Sequence, residues 1–169
     1  MTYETVVLDG KKILLVDDEP DVLSVLEEEI KMSCPTCKID KAISYNAALE
    51  KLEPQTYDLV VLDIMGVRGF DLLEKAVKSN LKVAMLTAHA LTPEALKRSF
   101  EMKARAYLPK EKIGEIVPFL EDVLTYEYLP GWERLFTKLE GFFAEKFKGL
   151  EAGYKFWEEM RDKIKKIEY

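Results

Sequence analysis

The sequence predicts an α/β fold in which five parallel strands form a doubly wound sheet, followed by a C-terminal helical extension. Five short segments rich in Val, Ile and Leu recur along the first two thirds of the chain. They are KKILLV (11–16), CKIDKA (37–42), DLVVLD (58–63), KVAMLT (82–87) and RAYLPK (105–110). A helical pattern follows each of them at short spacing, and this alternation produces right-handed βαβ units. The third and fourth segments are continuously apolar, as strands covered on both faces are.

The strands are separated by segments whose apolar residues recur at helical spacing. We predict helices at residues 21–32, 44–52 and 70–79, in the segment after Thr92, and at residues 113–125. Thr92 and Pro93 suit the N-cap and the first position of the fourth helix. Pro118 is compatible with the fifth helix only near its first turns, because proline lacks the N–H that a helix interior requires.

The first ten residues allow two interpretations. TVVLDGKKILLV has the pattern of a β-hairpin with Asp9 and Gly10 as its turn. However, the first strand of a doubly wound sheet is normally central, with both of its edges already paired. We therefore expect residues 1–10 to be a leader that lies over the surface, and residues 11–125 to form the α/β domain.

Composition and charge narrow the function classes. The chain of 169 residues carries a net charge of −6. Residues 126–169 contain nine acids and nine bases, so the whole excess lies in residues 1–125. This argues against non-specific nucleic-acid binding and fits an acidic site for a cation.

We find no apolar run of about 18 residues, as a membrane span requires, and no secretory signal. Two cysteines without such a signal indicate a reducing, cytosolic setting.

Polar side chains follow the carboxyl ends of four of the predicted strands. The first strand ends in Asp17 and Asp18, the third in Asp63, the fourth in Thr87 and the fifth in Lys110. The carboxyl ends of parallel strands form one edge of the sheet, where ligands bind. Clustered carboxylates require a hard cation such as Mg²⁺, which takes oxygen ligands, and a lysine supplies a point charge for phosphate. Such a set suits phosphoryl transfer onto a carboxylate.

These motifs resemble the receiver domain of two-component response regulators. The resemblance covers residues 11–125 and rests on VDDEP, VVLDIM, MLTAHA and AYLPK, in that order and on the expected elements. It implies a flavodoxin-like receiver fold in a cytoplasmic protein. It also implies Mg²⁺ as cofactor and a phosphohistidine donor, which is a sensor histidine kinase or a phosphotransfer protein. Signalling would occur by contact with a downstream protein that the sequence does not identify. Such a chain is a phosphoacceptor rather than an enzyme.

The resemblance assigns the phosphoacceptor and the metal ligands position by position. It implies that Asp63 accepts the phosphoryl group. Asp18, Asp63 and the backbone carbonyl of Met65 would bind Mg²⁺, and Asp17 would act through water.

The remaining site residues are assigned in the same way. Thr87 and Lys110 would hold the phosphoryl group. Thr87 and Tyr107 would form the switch, with the Tyr107 ring moving from a more exposed to a more buried position. Met65 and His89 lie two residues past Asp63 and Thr87, where they would tune hydrolysis of the acyl phosphate.

The sequence departs from the family pattern in three loops. Gly66 stands in the region where the family usually has a proline, and Glu111 follows Lys110 where proline is usual. Lys103 stands where glycine is common before the fifth strand, so we expect a helix end with a non-glycine residue in the left-handed conformation. These departures concern loop geometry and the partner surface rather than the catalytic groups.

Other interpretations remain open at this stage. The chain could be a receiver-like interaction module that is never phosphorylated, or a flavodoxin-like domain whose acids are merely solvated. A nucleotide-binding fold fits less well, because DDEP lacks a glycine-rich turn. Cys34 and Cys37 form a CxxC motif, which is redox-active or half a metal site in some proteins. The single histidine, His89, is expected at the opposite end of the sheet, so we favour a structural helix-to-strand turn.

The C-terminal segment has a helical pattern of its own. After a break at Pro130 and Gly131, apolar residues follow a seven-residue repeat. They are Trp132, Phe136, Leu139, Phe143, Leu150, Trp157, Met160, Ile164 and Ile167. Glycines near the middle favour two helices, joined or kinked near residues 147–153. The apolar stripe either packs on the receiver domain or makes a homodimer through these helices. We find no helix-turn-helix pattern and no basic face, so we expect no direct DNA binding.

Overall fold

Five parallel strands form the central sheet of the protein. The computed structural model describes residues 7–54, 56–148, 158–163 and 165. The strands are β1 (Lys12–Val16), β2 (Lys38–Ala42), β3 (Leu59–Asp63), β4 (Val83–Thr87) and β5 (Ala106–Pro109). Their order in the sheet is β2-β1-β3-β4-β5, and every neighbouring pair is parallel. The predicted doubly wound sheet is therefore confirmed.

Six α-helices and one 3₁₀ helix have both of their ends within the described residues. They are α1 (Pro20–Ser33), α2 (Tyr45–Leu52), α3 (Gly69–Lys78), α4 (Pro93–Glu101), a 3₁₀ helix (Lys110–Glu115), α5 (Ile116–Thr125) and α6 (Tyr128–Lys146). Helix α1 packs beside α5, and α2 packs beside α3. All residues of β3 and β4 are buried, which agrees with their continuously apolar sequences and with helices on both faces of the sheet.

Strand β1 lies inside the sheet, with β2 on one side and β3 on the other. Neither of its edges is free, so the described residues before it do not form the alternative hairpin. Residues 7–10 form a turn. Leu8 is fully buried, and its carbonyl accepts a hydrogen bond from the Cys37 thiol at 3.0 Å. Residues 1–6 of the predicted leader lie outside the described residues.

The helix ends follow the local signals in the sequence. Thr92 caps α4, because its hydroxyl accepts a hydrogen bond from the Ala95 N–H at 3.1 Å, and Pro93 occupies the first helical position. Pro118 is the third residue of α5, where an N–H has no partner inside the helix.

The end of α4 places a lysine in the left-handed region. Lys103 has a φ of 73°. The Lys103 N–H donates to the Phe100 carbonyl at 3.1 Å, and the Ala104 N–H donates to the Ser99 carbonyl at 3.0 Å. These two bonds are those of a Schellman motif, in which glycine is the usual residue because it has no Cβ. The expected non-glycine helix end is therefore present.

Helix α6 begins before the predicted break. Its first residue is Tyr128, so Pro130 and Gly131 lie in its first turn rather than ahead of it. The break is at Tyr126, which ends α5 in an extended conformation. A proline at the third helical position removes no helical hydrogen bond, which explains why PG does not end this helix.

The apolar stripe of α6 packs on the α/β domain. Trp132, Phe136, Leu139 and Phe143 are buried, and α6 contacts both β5 and α5. Residues 158–163 are helical again, and Met160 is buried. Residues 149–157, 164 and 166–169 lie outside the described part of the chain, and they include Leu150, Trp157, Ile164 and Ile167. Among the described residues, no helix has the length and apolar character needed to cross a membrane.

Replacing Lys103 with glycine should stabilise the protein. Glycine adopts the left-handed conformation without the Cβ penalty of about 1 kcal/mol. Lys103→Ala is the matched control, because it loses the same contact between the ammonium and the Tyr128 ring but keeps the Cβ. We expect the free energy of unfolding, measured in urea, to be about 1 kcal/mol higher for the Gly variant than for the Ala variant. Equal stability of the two variants would contradict the strain at this position.

Candidate functional site

The predicted polar residues meet at the carboxyl edge of the sheet. Asp17 directly follows β1, Asp63 ends β3, Thr87 ends β4, and Lys110 directly follows β5. Asp17, Asp63 and Thr87 are buried, whereas Asp18 is exposed. Because the three strand ends and the start of the 3₁₀ helix are fixed by the sheet, these side chains are positioned by the most rigid part of the fold.

Lys110 lies at the centre of the site and pairs with three carboxylates. Its Nζ is 2.8 Å from Asp17 Oδ2, 3.4 Å from Asp63 Oδ1 and 3.4 Å from Glu19 Oε2. The Asp17 and Asp63 carboxylates are almost completely buried, but that of Glu19 is half exposed. Glu19 was not among the predicted site residues, although it belongs to the run of three acids after β1. Its N–H also donates to Asp17 Oδ1 at 2.9 Å.

The charges of the site are imperfectly balanced. Burial, followed by the charge of Asp17, raises the pKa of Asp63 to about 6. Burial also raises the pKa of Asp17, although Lys110 opposes this effect. Burial alone would lower the pKa of Lys110, but its carboxylate partners outweigh burial and raise it. One ammonium thus does not compensate for the buried carboxylates, and the site favours a further positive charge.

The donor set fits a hard divalent cation. Oxygen atoms of Asp17, Asp18 and Asp63 all lie within 4.8 Å of one another. Apart from its ion pair with Lys110, the buried Asp17 Oδ2 accepts no hydrogen bond in the described part of the chain. Carboxylate oxygens with unused acceptor capacity are the ligands that Mg²⁺ prefers.

Two glycines make room for this arrangement. Gly66 has a φ of 84°, and a Cβ at this position would overlap the Asp18 carboxylate. A Cβ at Gly69 would overlap the backbone carbonyl of Asp63, where α3 begins. Neither glycine was predicted as a site residue. Gly66 was visible only as a departure after the third strand, and the clash it avoids depends on Asp18, 48 positions earlier in the chain.

Thr87 and Tyr107 are linked through one loop. The Thr87 hydroxyl accepts a hydrogen bond from the Ala90 N–H at 2.8 Å, and the Tyr107 hydroxyl donates to the Ala90 carbonyl at 2.6 Å. The Tyr107 ring is completely buried. The prediction that the ring becomes more buried when a phosphoryl group is bound stays a prediction; in this structure helix α6 already covers the ring, and the Phe143 ring lies 5.8 Å from it.

Met65 and His89 lie on the loops after β3 and β4, and both are exposed. Met65 has 52% of its surface accessible. Both side chains are therefore open to solvent, on the loops that follow Asp63 and Thr87.

The CxxC pair lies at the opposite, amino-terminal edge of the sheet. Both cysteines are buried and free. The Cys34 thiol donates to the Asp9 carboxylate at 3.3 Å, and the Cys37 thiol to the Leu8 carbonyl. Burial, together with the Cys34 thiol, raises the pKa of Cys37 to about 12. A thiol that stays protonated is a poor nucleophile and a poor metal ligand, so this geometry favours the structural interpretation.

Comparison with known proteins points to one family. The family model for the response regulator receiver domain matches residues 13–120. Sensory transduction protein LytR of Staphylococcus epidermidis is 34% identical over 112 residues, which are 63% of this chain and 44% of the relative. The chain spans less than half the length of the curated relatives that it matches.

Solved structures show the same similarity. Response regulator protein TrrA from Thermotoga maritima, in complex with Mg²⁺-BeF, is 31% identical with a TM-score of 0.58, over 68% of this chain and 99% of that chain. A receiver domain protein (CheY-like) from Methanospirillum hungatei is 28% identical with a TM-score of 0.53, over 64% of this chain and 94% of that chain.

Replacing Gly66 with alanine should weaken Mg²⁺ binding. The added methyl group would displace the Asp18 carboxylate. Changes to the groups that orient a metal ligand typically lower the metal affinity by about 10- to 100-fold. Gly114→Ala is the matched control, because its Cβ would meet nothing within 4 Å. Affinity can be measured by the shift in Tm with increasing Mg²⁺, starting from protein in EDTA. Equal Mg²⁺ affinity of the two variants would show that Gly66 does not position Asp18.

Proposed function

The chain belongs to the response regulator receiver domain family, and on this premise we propose that Asp63 accepts a phosphoryl group from a phosphohistidine donor in a Mg²⁺-dependent reaction. The observation that carries the proposal is the position of the Lys110 ammonium against Asp63 and Asp17. This arrangement supplies the nucleophile, the cation for phosphate oxygens and the carboxylates for a metal ion within one small site.

In the proposed reaction a carboxylate oxygen of Asp63 attacks the phosphorus atom of the donor. A new P–O bond forms, the P–N bond to the donor histidine breaks, and the imidazole leaves with the bonding pair and takes up a proton. Asp63 is held for this attack because its backbone ends β3 and its side chain pairs with Lys110. The product is an acyl phosphate, so the chain acts as phosphoacceptor rather than as an enzyme.

Lys110 and Thr87 hold the transferred group in this proposal. The Lys110 ammonium, 3.4 Å from Asp63 Oδ1, is within reach of a phosphoryl oxygen on that atom. The Thr87 hydroxyl, which accepts from the Ala90 N–H in this structure, has its own proton available for another phosphoryl oxygen once it turns towards Asp63. Bound Mg²⁺ would supply positive charge for the developing charge on the phosphoryl oxygens, and Asp17, Asp18, Asp63 and the Met65 carbonyl would hold it.

The partners follow from the same proposal. The donor would be a sensor histidine kinase or a phosphotransfer protein in the cytoplasm, and the output would be contact with a downstream protein, without direct DNA binding. We assign the receiver to residues 11–125, a leader to residues 1–10 and a helical extension to residues 126–169. A homodimer through the C-terminal helices would require α6 to leave the receiver, because its apolar stripe is buried there.

A small phosphodonor tests the proposal directly. Phosphoramidate with Mg²⁺ should add one phosphoryl group to the protein, because its P–N bond resembles that of phosphohistidine. Intact mass spectrometry measures the product. Asp63→Asn should abolish labelling, as should EDTA, whereas Asp71→Asn, which changes an exposed carboxylate on α3, should label normally. Unlabelled wild-type protein would favour the alternative, an interaction module that is never phosphorylated, and a labelled Asp63→Asn variant would exclude Asp63 as the acceptor.

The acyl phosphate should be lost slowly, over minutes or longer. Its hydrolysis needs a water molecule aligned opposite the leaving oxygen, and the thioether of Met65 cannot position water by a strong hydrogen bond. The His89 imidazole is exposed, and either of its ring nitrogens can carry the proton, so it does not hold a water molecule in one fixed orientation. Met65→Asn should therefore accelerate loss of phosphate severalfold, measured by intact mass over time, with Met65→Leu as control. If the wild type loses its phosphate within seconds, or if the Asn variant loses it no faster, the side chain at position 65 does not control hydrolysis. The shortened loop around Gly66 would then be the better explanation of the rate.

A further inference from the structure

Helix α6 covers the edge strand of the sheet at the position of Tyr107. The Trp132 Nε1–H donates to the Ala104 carbonyl at 2.8 Å, just before β5. Further along the same helix, the Phe143 ring packs against the Tyr107 ring, with 5.8 Å between the ring centroids. Trp132, Tyr107 and Phe143 are all completely buried. The surface formed by α4, β5 and α5 is therefore occupied by a segment of the same chain.

One series of contacts connects α6 with Thr87. The Ala90 N–H donates to the Thr87 hydroxyl at 2.8 Å, and the Ala90 carbonyl accepts from the Tyr107 hydroxyl at 2.6 Å. The Thr92 N–H donates to the same Tyr107 hydroxyl at 3.1 Å. The loop that holds the Thr87 side chain thus also holds the outer end of the Tyr107 ring, on which Phe143 packs.

A second series of contacts connects α6 with Lys110. Glu111, the next residue, pairs with Lys146 at the end of α6, with 2.9 Å between Nζ and Oε1. The ammonium groups of Lys112 and Lys146 each lie 5.5 Å from the centroid of the Phe142 ring. Glu111 stands where the family usually has proline, so in this chain the departure supplies a contact between α6 and the segment that carries Lys110.

We propose that α6 is a displaceable cover whose docking on the α4–β5–α5 face is coupled to the phosphoryl group on Asp63. Phosphorylation weakens this docking and exposes both the face and the apolar stripe of α6. The inference rests on the proposed function and adds to it the regulation of the output surface.

The direction of the coupling follows from the contacts. A phosphoryl group draws the Thr87 hydroxyl towards Asp63 and away from the Ala90 N–H, so the loop at Ala90 and Thr92 loses its present geometry. The Tyr107 ring then moves inward, into the space that Thr87 leaves. Because packed interiors respond to such a shift by changing state rather than by stretching, withdrawal of the ring removes the support beneath Phe143. Movement of Lys110 towards the phosphoryl oxygens displaces Glu111 at the same time.

Fluorescence of Trp132 measures the docking directly. The chain contains two tryptophans, so Trp157→Phe in the full chain leaves Trp132 as the single reporter. Beryllofluoride with Mg²⁺ serves as a stable mimic of the phosphoryl group, and ¹⁹F NMR reports its binding independently. We expect a red shift of the emission and severalfold faster quenching by acrylamide when beryllofluoride is bound. The Asp63→Asn variant should show neither change.

The two proposals fail in different ways in this experiment. If beryllofluoride binds and phosphoramidate labels Asp63, but Trp132 stays equally protected from acrylamide, α6 is not a displaceable cover. The phosphoacceptor role then stands. If beryllofluoride does not bind and no label is added, the phosphoacceptor role fails, and the coupling fails with it. Increased protection of Trp132 on binding would reverse the sign of the coupling and would also overturn the proposal.

Reciprocity supplies a second test. If phosphorylation weakens docking, a weakened cover must raise the affinity for beryllofluoride by the same factor. Phe143→Ala should bind it about tenfold more tightly than the wild type, a typical size for such coupling. Lys146→Ala, an exposed change that leaves the core intact, should bind it severalfold more tightly. Glu145→Ala is the matched control, because Glu145 is an exposed residue next to Lys146 on the same helix and forms no ion pair among the described residues. Wild-type affinity in both test variants would overturn the coupling.

Discussion

The ammonium of Lys110, set among the carboxylates of Asp17, Asp63 and Glu19, is the interaction on which the site depends. It holds the start of the 3₁₀ helix against the ends of β1 and β3, and it allows two acids to be buried side by side. Its single charge does not offset both burial, which is the main cause of the raised pKa of Asp63, and the charge of Asp17, which adds to it. The remaining negative charge favours a divalent cation at this site.

The sheet and most of the candidate site could be predicted because their signals are local. Each strand is a short apolar burst, and Asp17, Asp63, Thr87 and Lys110 stand where those bursts end. A parallel sheet then brings strand ends together without further information. The non-glycine end of α4 at Lys103 was predicted in another way, from the family resemblance, because Lys103 stands where the family often has glycine.

What the sequence did not reveal depends on contacts between distant segments. The space that Gly66 leaves for Asp18, and the space that Gly69 leaves for the Asp63 carbonyl, exist only in the folded chain. The apolar stripe of α6 has the same spacing whether it pairs with another chain or packs on its own domain, so the pattern left both alternatives open. Complete burial of the Tyr107 ring follows from that packing, and for this reason the sequence did not reveal it.

The charge balance at Lys110 is tested most directly by titrating Asp63 itself. In ¹³C NMR of metal-free protein, with Asp63 assigned by comparison with Asp63→Asn, its carboxyl resonance should titrate with a pKa of about 6 rather than near 3.8. Saturating Mg²⁺ should lower this pKa, because the cation favours the ionised form. A pKa near 3.8 that does not respond to Mg²⁺ would contradict the account. Lys110 alone would then offset both the burial of Asp63 and the charge of Asp17.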